Sequence, residues 1–402
     1  MGLRNEEAAA LERVDQATML TRVERWCAIN SGTGNLAGLA WQAGELADAF
    51  ATLPGAVTLV EPAPVSAVDA GGKTVQLDHG RHLVLRVRPQ AQHRFLLTGH
   101  MDTVYSVNHP FQSARWADAD TLNAPGAADM KGGLAVMLEA LLAFEACPAA
   151  AAVGYDVLIN ADEETGSLSS AALIADLARG KAAALTYEPA TAPDGTLAHA
   201  RGGSGNYSVV ATGRSAHAGR NPQDGRNALL ALADLALRLK ALEGGQLSVN
   251  PARIEGGSAN NVVPDNAVLR FNIRPRSLAA VEAFDAAMRD AMAAVEALHE
   301  VALVRHGGVT RLPKPVDAAA QRLFDLVQRA GADLGQHFGF RATGGVCDGN
   351  NIAAAGIPVV DTMGVRGGAI HSPGEYLLVP SLAERARLSL LVLHRLAIGE
   401  QP

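Results

Sequence analysis

The sequence predicts an α/β protein, a sandwich built on a largely parallel sheet, with an α+β unit inserted into it. Three observations predict this class. From about residue 95, short apolar runs alternate with helical stretches. Between about residues 205 and 306 the order changes to β-α-β-β-α-β, the ferredoxin-like split unit. From about residue 312 the α/β pattern resumes. A chain of 402 residues also exceeds the usual reach of one hydrophobic core, so more than one domain is expected. The boundaries expected are 1–200 and 312–402 for the α/β part and 201–311 for the insertion.

Each element has its reason. Phe95-Leu96-Leu97 is an apolar strand leading into Gly99-His100. Met130 to Phe144 is apolar nearly all round, which suits a helix buried against a sheet. Tyr155 to Asn160 is a strand running into Asp162-Glu163-Glu164, and Leu185 to Tyr187 is another ending at Glu188. In the insertion, Gly205 to Thr212 reads as a strand, Arg226 to Leu242 as a helix and Leu247 to Ile254 as a second strand. Ala267 to Arg274 alternates, with Leu269, Phe271 and Ile273 on one face and Arg270, Asn272 and Arg274 on the other. That alternation predicts an antiparallel sheet with one open face. Ser277 to Leu298 is a helix, Val301 to His306 a last strand, and Ala319 to Ala330 a helix of the resumed α/β part.

Composition narrows the classes. Hydrophobic residues make up 48% and charged residues 19%, ordinary for a soluble globular chain. A formal net charge of -7 gives no reason to expect nucleic acid or an anionic membrane as partner. Three scattered cysteines, Cys27, Cys147 and Cys347, make no disulfide framework. The first residues carry early acids and no apolar signal core, and no apolar stretch approaches membrane-spanning length. A cytoplasmic, reducing location is the expectation.

The chemistry concentrates in an ordered series: His100, Asp102, Asp129, the pair Glu163-Glu164, Glu188 and His371. Most of these follow an apolar run, where a strand would give way to a loop, and ligands of open α/β sheets sit at such strand ends. Two imidazoles and several carboxylates there suit a pair of divalent cations such as zinc. Asp102 lies two residues past His100, so it can accept a hydrogen bond from the second ring nitrogen of that histidine. A carboxylate at Asp129 can bridge two metals. Of Glu163 and Glu164, one can bind metal while the other handles the proton of an attacking water. Taken singly, Asp129 also reads as a helix N-cap and the acid pair as a solvated turn.

The segments Gly99–Val104, Gly126–Gly133, Asp162–Ser167, Tyr187–Pro189, Gly213–His217, Asn261–Pro264 and His371–Tyr376 together resemble the di-zinc exopeptidase and deacylase family. That family includes glutamate carboxypeptidase, aminoacylase, acetylornithine deacetylase and succinyl-diaminopimelate desuccinylase. The resemblance implies a zinc-exopeptidase-type α/β/α sandwich with an inserted ferredoxin-like lid and dimerisation domain. It implies two zinc ions per chain, for which cobalt can substitute. His100 and Glu188 would hold one ion, Glu164 and His371 the other, and Asp129 would bridge them. Asp102 would orient His100, and Glu163 would be the general base. A cis peptide would follow Asp129. His217 would reach into the active site of a partner subunit and stabilise the oxyanion. Asn261 and Arg274 would hold the substrate carboxylate, with Arg311 a further candidate.

The glutamate-carboxypeptidase branch is the nearest in pattern, through Gly344–Asn350 and the His371 segment. Glutamate at position 188 goes with carboxypeptidases and deacylases, whereas aminopeptidase and dipeptidase relatives tend to carry Asp there. The expected enzyme releases a C-terminal amino acid from a small peptide or N-acyl conjugate and works as a homodimer joined through the lid. An N-acyl-amino-acid deacylase is the alternative, and an inactive binding protein on the same scaffold a remote one.

Overall fold

The computed structural model describes residues 2–400. The strands of the first part are β1 (Ala56–Val60), β2 (His82–Val87), β3 (Arg94–His100), β4 (Gly154–Asn160) and β5 (Ala183–Thr186). The insertion contributes β6 (Ser204–Thr212), β7 (Leu247–Gly256), β8 (Asn266–Pro275) and β9 (Ala302–Arg311), and β10 (Val359–Val360) returns to the first part. Six of them form one sheet in the order β1-β2-β4-β3-β5-β10. The three pairings among β4, β3, β5 and β10 are parallel, and the two at the β1 edge are antiparallel. The α/β sheet expected from the sequence is therefore present, parallel in three of its five pairings and antiparallel at the β1 edge.

β3 and β4 are buried along almost their whole length, as apolar strands covered on both faces must be. The helices α1 (Gly132–Glu145) and, near the C-terminus, Ser381–Ala397 are likewise almost wholly buried. α1 begins two residues later than its apolar pattern suggests. Asp129 and Met130 have non-helical backbone angles, so the helix starts only at Gly132. The Asp129–Met130 peptide is cis.

β6 to β9 form a separate antiparallel sheet in the order β7-β8-β6-β9, the ferredoxin-like arrangement. α2 (Ala228–Lys240) and α3 (Leu278–His299) pack on one face over their own apolar core. α2 buries Ala228, Ala231, Leu232, Leu235 and Leu239, the spacing of a single helical stripe. Asn227 and Ser277 cap the two helices through backbone N–H groups of Leu230 and Ala280.

Two expectations need correction. The face of this sheet away from α2 and α3 is not fully open. Val210 and Val268 lie side by side there, and Val68, from the hairpin Val65–Leu77 of the first part, packs on them. Arg270 fixes the contact by donating to the Val68 carbonyl at 2.7 Å. The last strand of the insertion also runs past His306 to Arg311. The glycine pair 307–308 reads as a turn, yet both residues stay in the ladder, opposite Tyr207 and Asn206. Arg311 thus ends the strand.

Candidate metal centre

The strand ends bring the acids and histidines together. His100 is the last residue of β3, Glu163 and Glu164 follow β4, and Glu188 follows β5. Asp129 precedes α1, and His371 lies on a loop near the C-terminus. His100, Asp129, Glu163 and Glu188 are buried, while His371 is half exposed at the mouth.

Asp129 sits between the two histidines. Its Oδ1 is 3.0 Å from His100 Nε2 and its Oδ2 is 3.3 Å from His371 Nε2. Glu188 lies on the His100 side, 3.8 Å from Nε2, and Glu164 on the His371 side, 3.2 Å from Nε2. Candidate metal-ligand atoms also group as His100–Asp129–Glu164 and His100–Glu163–Glu188. The second grouping puts Glu163 where a ligand could be. We favour the pairing through Asp129, because it gives each histidine its own carboxylate and leaves Glu163 to Arg311.

Asp102 meets His100 as the sequence suggested, and does more. His100 Nδ1 lies 2.9 Å from the Asp102 backbone carbonyl and 3.4 Å from its carboxylate. The carbonyl is thus the closer acceptor, which leaves Nε2 free to bind a cation. The carboxylate is occupied elsewhere. It accepts the backbone N–H groups of Glu163 (3.1 Å) and Glu164 (3.2 Å) and the Thr33 hydroxyl (2.7 Å). Asp102 therefore orients the turn that carries the acid pair.

The electrostatics ask for a cation. Burial pushes the carboxyls of Glu163, Glu164 and Glu188 upward, Glu164 to about 7. Burial acts the same way on Asp129, but hydrogen bonds from His100 and His371 overcome it and hold Asp129 below the usual range. Hydrogen bonds to Asp129 and Glu164 push His371 up to about 10. Several carboxylates crowded out of water repel one another unless positive charge joins them, and divalent cations would supply that charge. An N,O donor set of this kind fits zinc and its neighbours.

Glu375, which has no assigned role in the sequence reading, and Arg311 support the cluster. Buried Glu375 accepts N–H groups from Gly126 (3.2 Å), Ala128 (2.9 Å) and Asp129 (3.0 Å) and the Tyr105 hydroxyl at 2.7 Å. It holds the loop that presents Asp129. Its position in the His371 segment was visible, but its task depends on burial that no local pattern shows. Arg311 Nη2 lies 2.7 Å from Glu163 Oε1 and donates to Ser167 Oγ at 2.8 Å, beside Asp348.

The remaining predicted residues lie on the insertion. Arg274 is exposed on β8 and donates to Asn272 Oδ1 at 2.9 Å. Partial burial, and then the charge of Arg311, lower its pKa. Asn261 and His217 are exposed. The Asn261 carbonyl accepts the N–H of Ala218 at 2.9 Å, so the two loops are joined. His217 Nδ1 accepts from Gly219 and Arg220 N–H groups at 3.1 and 3.2 Å, which leaves Nε2 to donate outward. Among the described residues no contact links His217 to the metal-ligand candidates of its own chain.

A buried set of imidazoles and carboxylates at the strand ends of such a sheet is the kind of site metal-dependent hydrolases use. The model described as peptidase family M20/M25/M40 matches residues 96–395, and the chain belongs to that family. It is 29% identical to carboxypeptidase G2 of Pseudomonas sp. (strain RS-16), over 96% of this chain and 91% of that one. It is 31% identical to the succinyl-diaminopimelate desuccinylase of Rhodospirillum centenum (strain ATCC 51521 / SW), over 69% of this chain and 73% of that one. Among solved structures, an M20 family metallo-carboxypeptidase from Sulfolobus solfataricus shares the fold, with a TM-score of 0.71 and 16% identity over 94% of this chain and 99% of that one. The resemblance read from the motifs is therefore to the family the chain belongs to. No helix among the described residues is long and apolar enough to cross a membrane.

Proposed function

We propose that this protein is a di-zinc amide hydrolase of the glutamate-carboxypeptidase kind, releasing a C-terminal amino acid from a small peptide or N-acyl conjugate. One observation carries the reading: Asp129 turns separate oxygens to His100 and His371, each of which has a second carboxylate, Glu188 or Glu164, beside it. Divalent ions held there supply the charge that polarises an amide carbonyl and activates water. Cobalt serves in place of zinc.

The protein groups divide the remaining work. Glu163 takes the proton of the attacking water and passes it to the leaving amine. Burial raises its pKa above the usual carboxyl range, which strengthens it as a proton acceptor. Arg274 and Arg311, with Asn261, receive the free carboxylate of the substrate. His217, with Nε2 ready to donate, serves as the oxyanion donor of the partner subunit in a homodimer joined through the insertion. The protein works in the cytoplasm.

An N-acyl-amino-acid deacylase is the second reading. Similarity to a desuccinylase over 69% of the chain favours it. Both reactions break the same bond and differ in the half of the substrate that is recognised. The test is a panel of N-acyl amino acids and C-terminal-glutamate peptides, assayed with the zinc-loaded protein. Hydrolysis of peptide conjugates supports the first reading and hydrolysis of simple N-acyl amino acids the second. No turnover of any amide overturns both.

A further inference from the structure

A cavity of about 530 Å³ opens from the metal centre into the first part of the chain. His371, Glu164 and Glu188 line it, and so do Arg201, Arg341 and Thr343. Its acids belong to the metal cluster. Its cations have no place in the reaction described so far.

Arg201 is buried, and Asp361 takes its Nε at 2.8 Å and its Nη2 at 3.0 Å. Asp361 also takes Lys314 Nζ at 2.8 Å, and Lys314 is equally buried. Two buried cations thus share one carboxylate, which leaves one positive charge in excess beside the cavity. Glu188 raises Arg201 further, but in the proposed function that carboxylate serves a metal ion. Arg341, exposed at the rim, donates from Nη2 to the Thr191 carbonyl at 2.6 Å, an acceptor that carries no charge. No carboxylate lies within ion-pair distance of it among the described residues. The exposed acid Asp194 feels its charge without touching it. A planar guanidinium with free donors, backed by an uncompensated buried charge, is suited to a carboxylate.

Resting on the reading as an amide hydrolase, we propose that this cavity takes an acyl group that itself carries a carboxylate, bound by Arg341 in the field of Arg201. The free carboxylate of the amino acid goes to the insertion, so the cavity receives the other side of the scissile bond. The preferred substrates are then amides whose acyl half is acidic, such as an N-succinyl amino acid or a peptide with an acidic penultimate residue.

The experiment compares matched pairs on the zinc-loaded protein. N-succinyl and N-butyryl derivatives of the same amino acids form one arm. Acetyl-Glu and acetyl-Gln dipeptides with the same C-terminal residue form the other. The acidic member should lead in kcat/KM by roughly 10- to 100-fold, the worth of a hydrogen bond to a charged group. The arm with the larger ratio identifies the source of the carboxylate. Arg341→Glu should collapse or invert that ratio, and Arg341→Lys should keep part of it. Equal rates within every pair would overturn the proposal, as would an Arg341→Glu variant that slows both members by the same factor. If no amide is hydrolysed, the hydrolase reading itself falls. Calorimetric binding of N-succinyl against N-butyryl amino acids to the same protein then decides the charge preference of the cavity independently.

Discussion

Arg311 places Nη2 2.7 Å from Oε1 of Glu163, and the same nitrogen donates to the Glu163 backbone carbonyl at 3.1 Å. Arg311 ends β9, the last strand of the insertion, while Glu163 follows β4 of the first part. One side chain therefore ties the inserted sheet to the acid proposed as general base. Arg311 is buried and shares Asp348 with that contact, at 3.3 Å.

Removing one partner of a buried ion pair costs more than the pair itself gives, because the other charge is left unpaired. Arg311→Met should destabilise the fold by roughly 3–5 kcal/mol in denaturant unfolding. It should also lower kcat/KM by at least about 10-fold, the scale of a lost hydrogen bond to a charged group. Arg311→Lys keeps the charge but not the fork, and should fall between. Wild-type stability and rate in Arg311→Met would show that the contact does neither job.

The two adjacent acids should separate by their readouts. Glu163→Gln keeps the shape and removes the base, so kcat should drop roughly 10²–10⁴-fold with metal content intact. Glu164→Gln should instead lose metal, because Glu164 lies 3.2 Å from His371 Nε2. Metal analysis beside steady-state rates checks both. Identical behaviour of the two variants would remove the division of roles.

Much of this site was legible before any coordinates. His100, Glu163, Glu164 and Glu188 converge as their strand-end positions suggest, since parallel sheets deliver strand ends to one edge, and the turn of Asp129 and the loop of His371 meet them there. Arg311 was harder, because the glycines at 307 and 308 look like a turn while the ladder runs through them. Asp102 was placed beside His100, but its second task was not legible: its carboxylate also accepts the N–H groups of Glu163 and Glu164. Glu375 and the Arg201–Asp361–Lys314 cluster have no local signature. Their partners lie far away in sequence, and only burial makes them matter. The hairpin over Val210 and Val268 was missed for the same reason.

Glu375 offers a test of indirect control. It accepts three backbone N–H groups of the Asp129 loop, which would be left unpaired and buried in Glu375→Ala. Each such group costs roughly 1–3 kcal/mol. The variant should therefore melt at a lower temperature and bind metal more weakly, though Glu375 is not among the proposed ligands. Glu375→Gln retains one acceptor oxygen and should recover part of both. Unaltered metal affinity in Glu375→Ala would show that the Asp129 loop holds its shape alone.

Metal uptake should depend on pH with a defined sign. In the metal-free protein His371 is raised from 6.5 to about 10, and burial raises Glu164 from 4.5 to about 7. Both protons must leave before these atoms can bind a cation. Binding at pH 7 should therefore release protons, and affinity should climb as pH rises from about 5 to about 10. The metal-free fold should behave oppositely. The stability it gains from protonated His371 is full below 6.5 and fades as pH climbs toward 10. Ionising buried Glu164 adds a cost between 4.5 and about 7. Calorimetry in buffers of different ionisation enthalpy measures the protons, and metal uptake with no proton release would contradict the assignment of these two groups.

The last prediction concerns a site shared by two subunits. His217 is exposed on the insertion, its Nδ1 is filled by two backbone N–H groups, and among the described residues no hydrogen bond engages its Nε2. An Nε2 proton left to solvent can meet a substrate oxyanion through closure of its own insertion or across to a partner chain. Homo-oligomers are mostly closed two-fold dimers, in which one subunit's insertion can reach the other's metal centre. An oxyanion donor is worth roughly 10²–10³ in kcat. His217→Ala should therefore lose about that factor while keeping its metal. Mixing His217→Ala chains with Glu163→Gln chains should restore activity, because in a mixed dimer one site then combines an intact Glu163 with an intact His217. At most half of the mixed dimer's sites can be rescued, so recovery should plateau at a fraction of the wild-type rate. Confirmed exchange of subunits with no recovery would place His217 over the metal centre of its own chain.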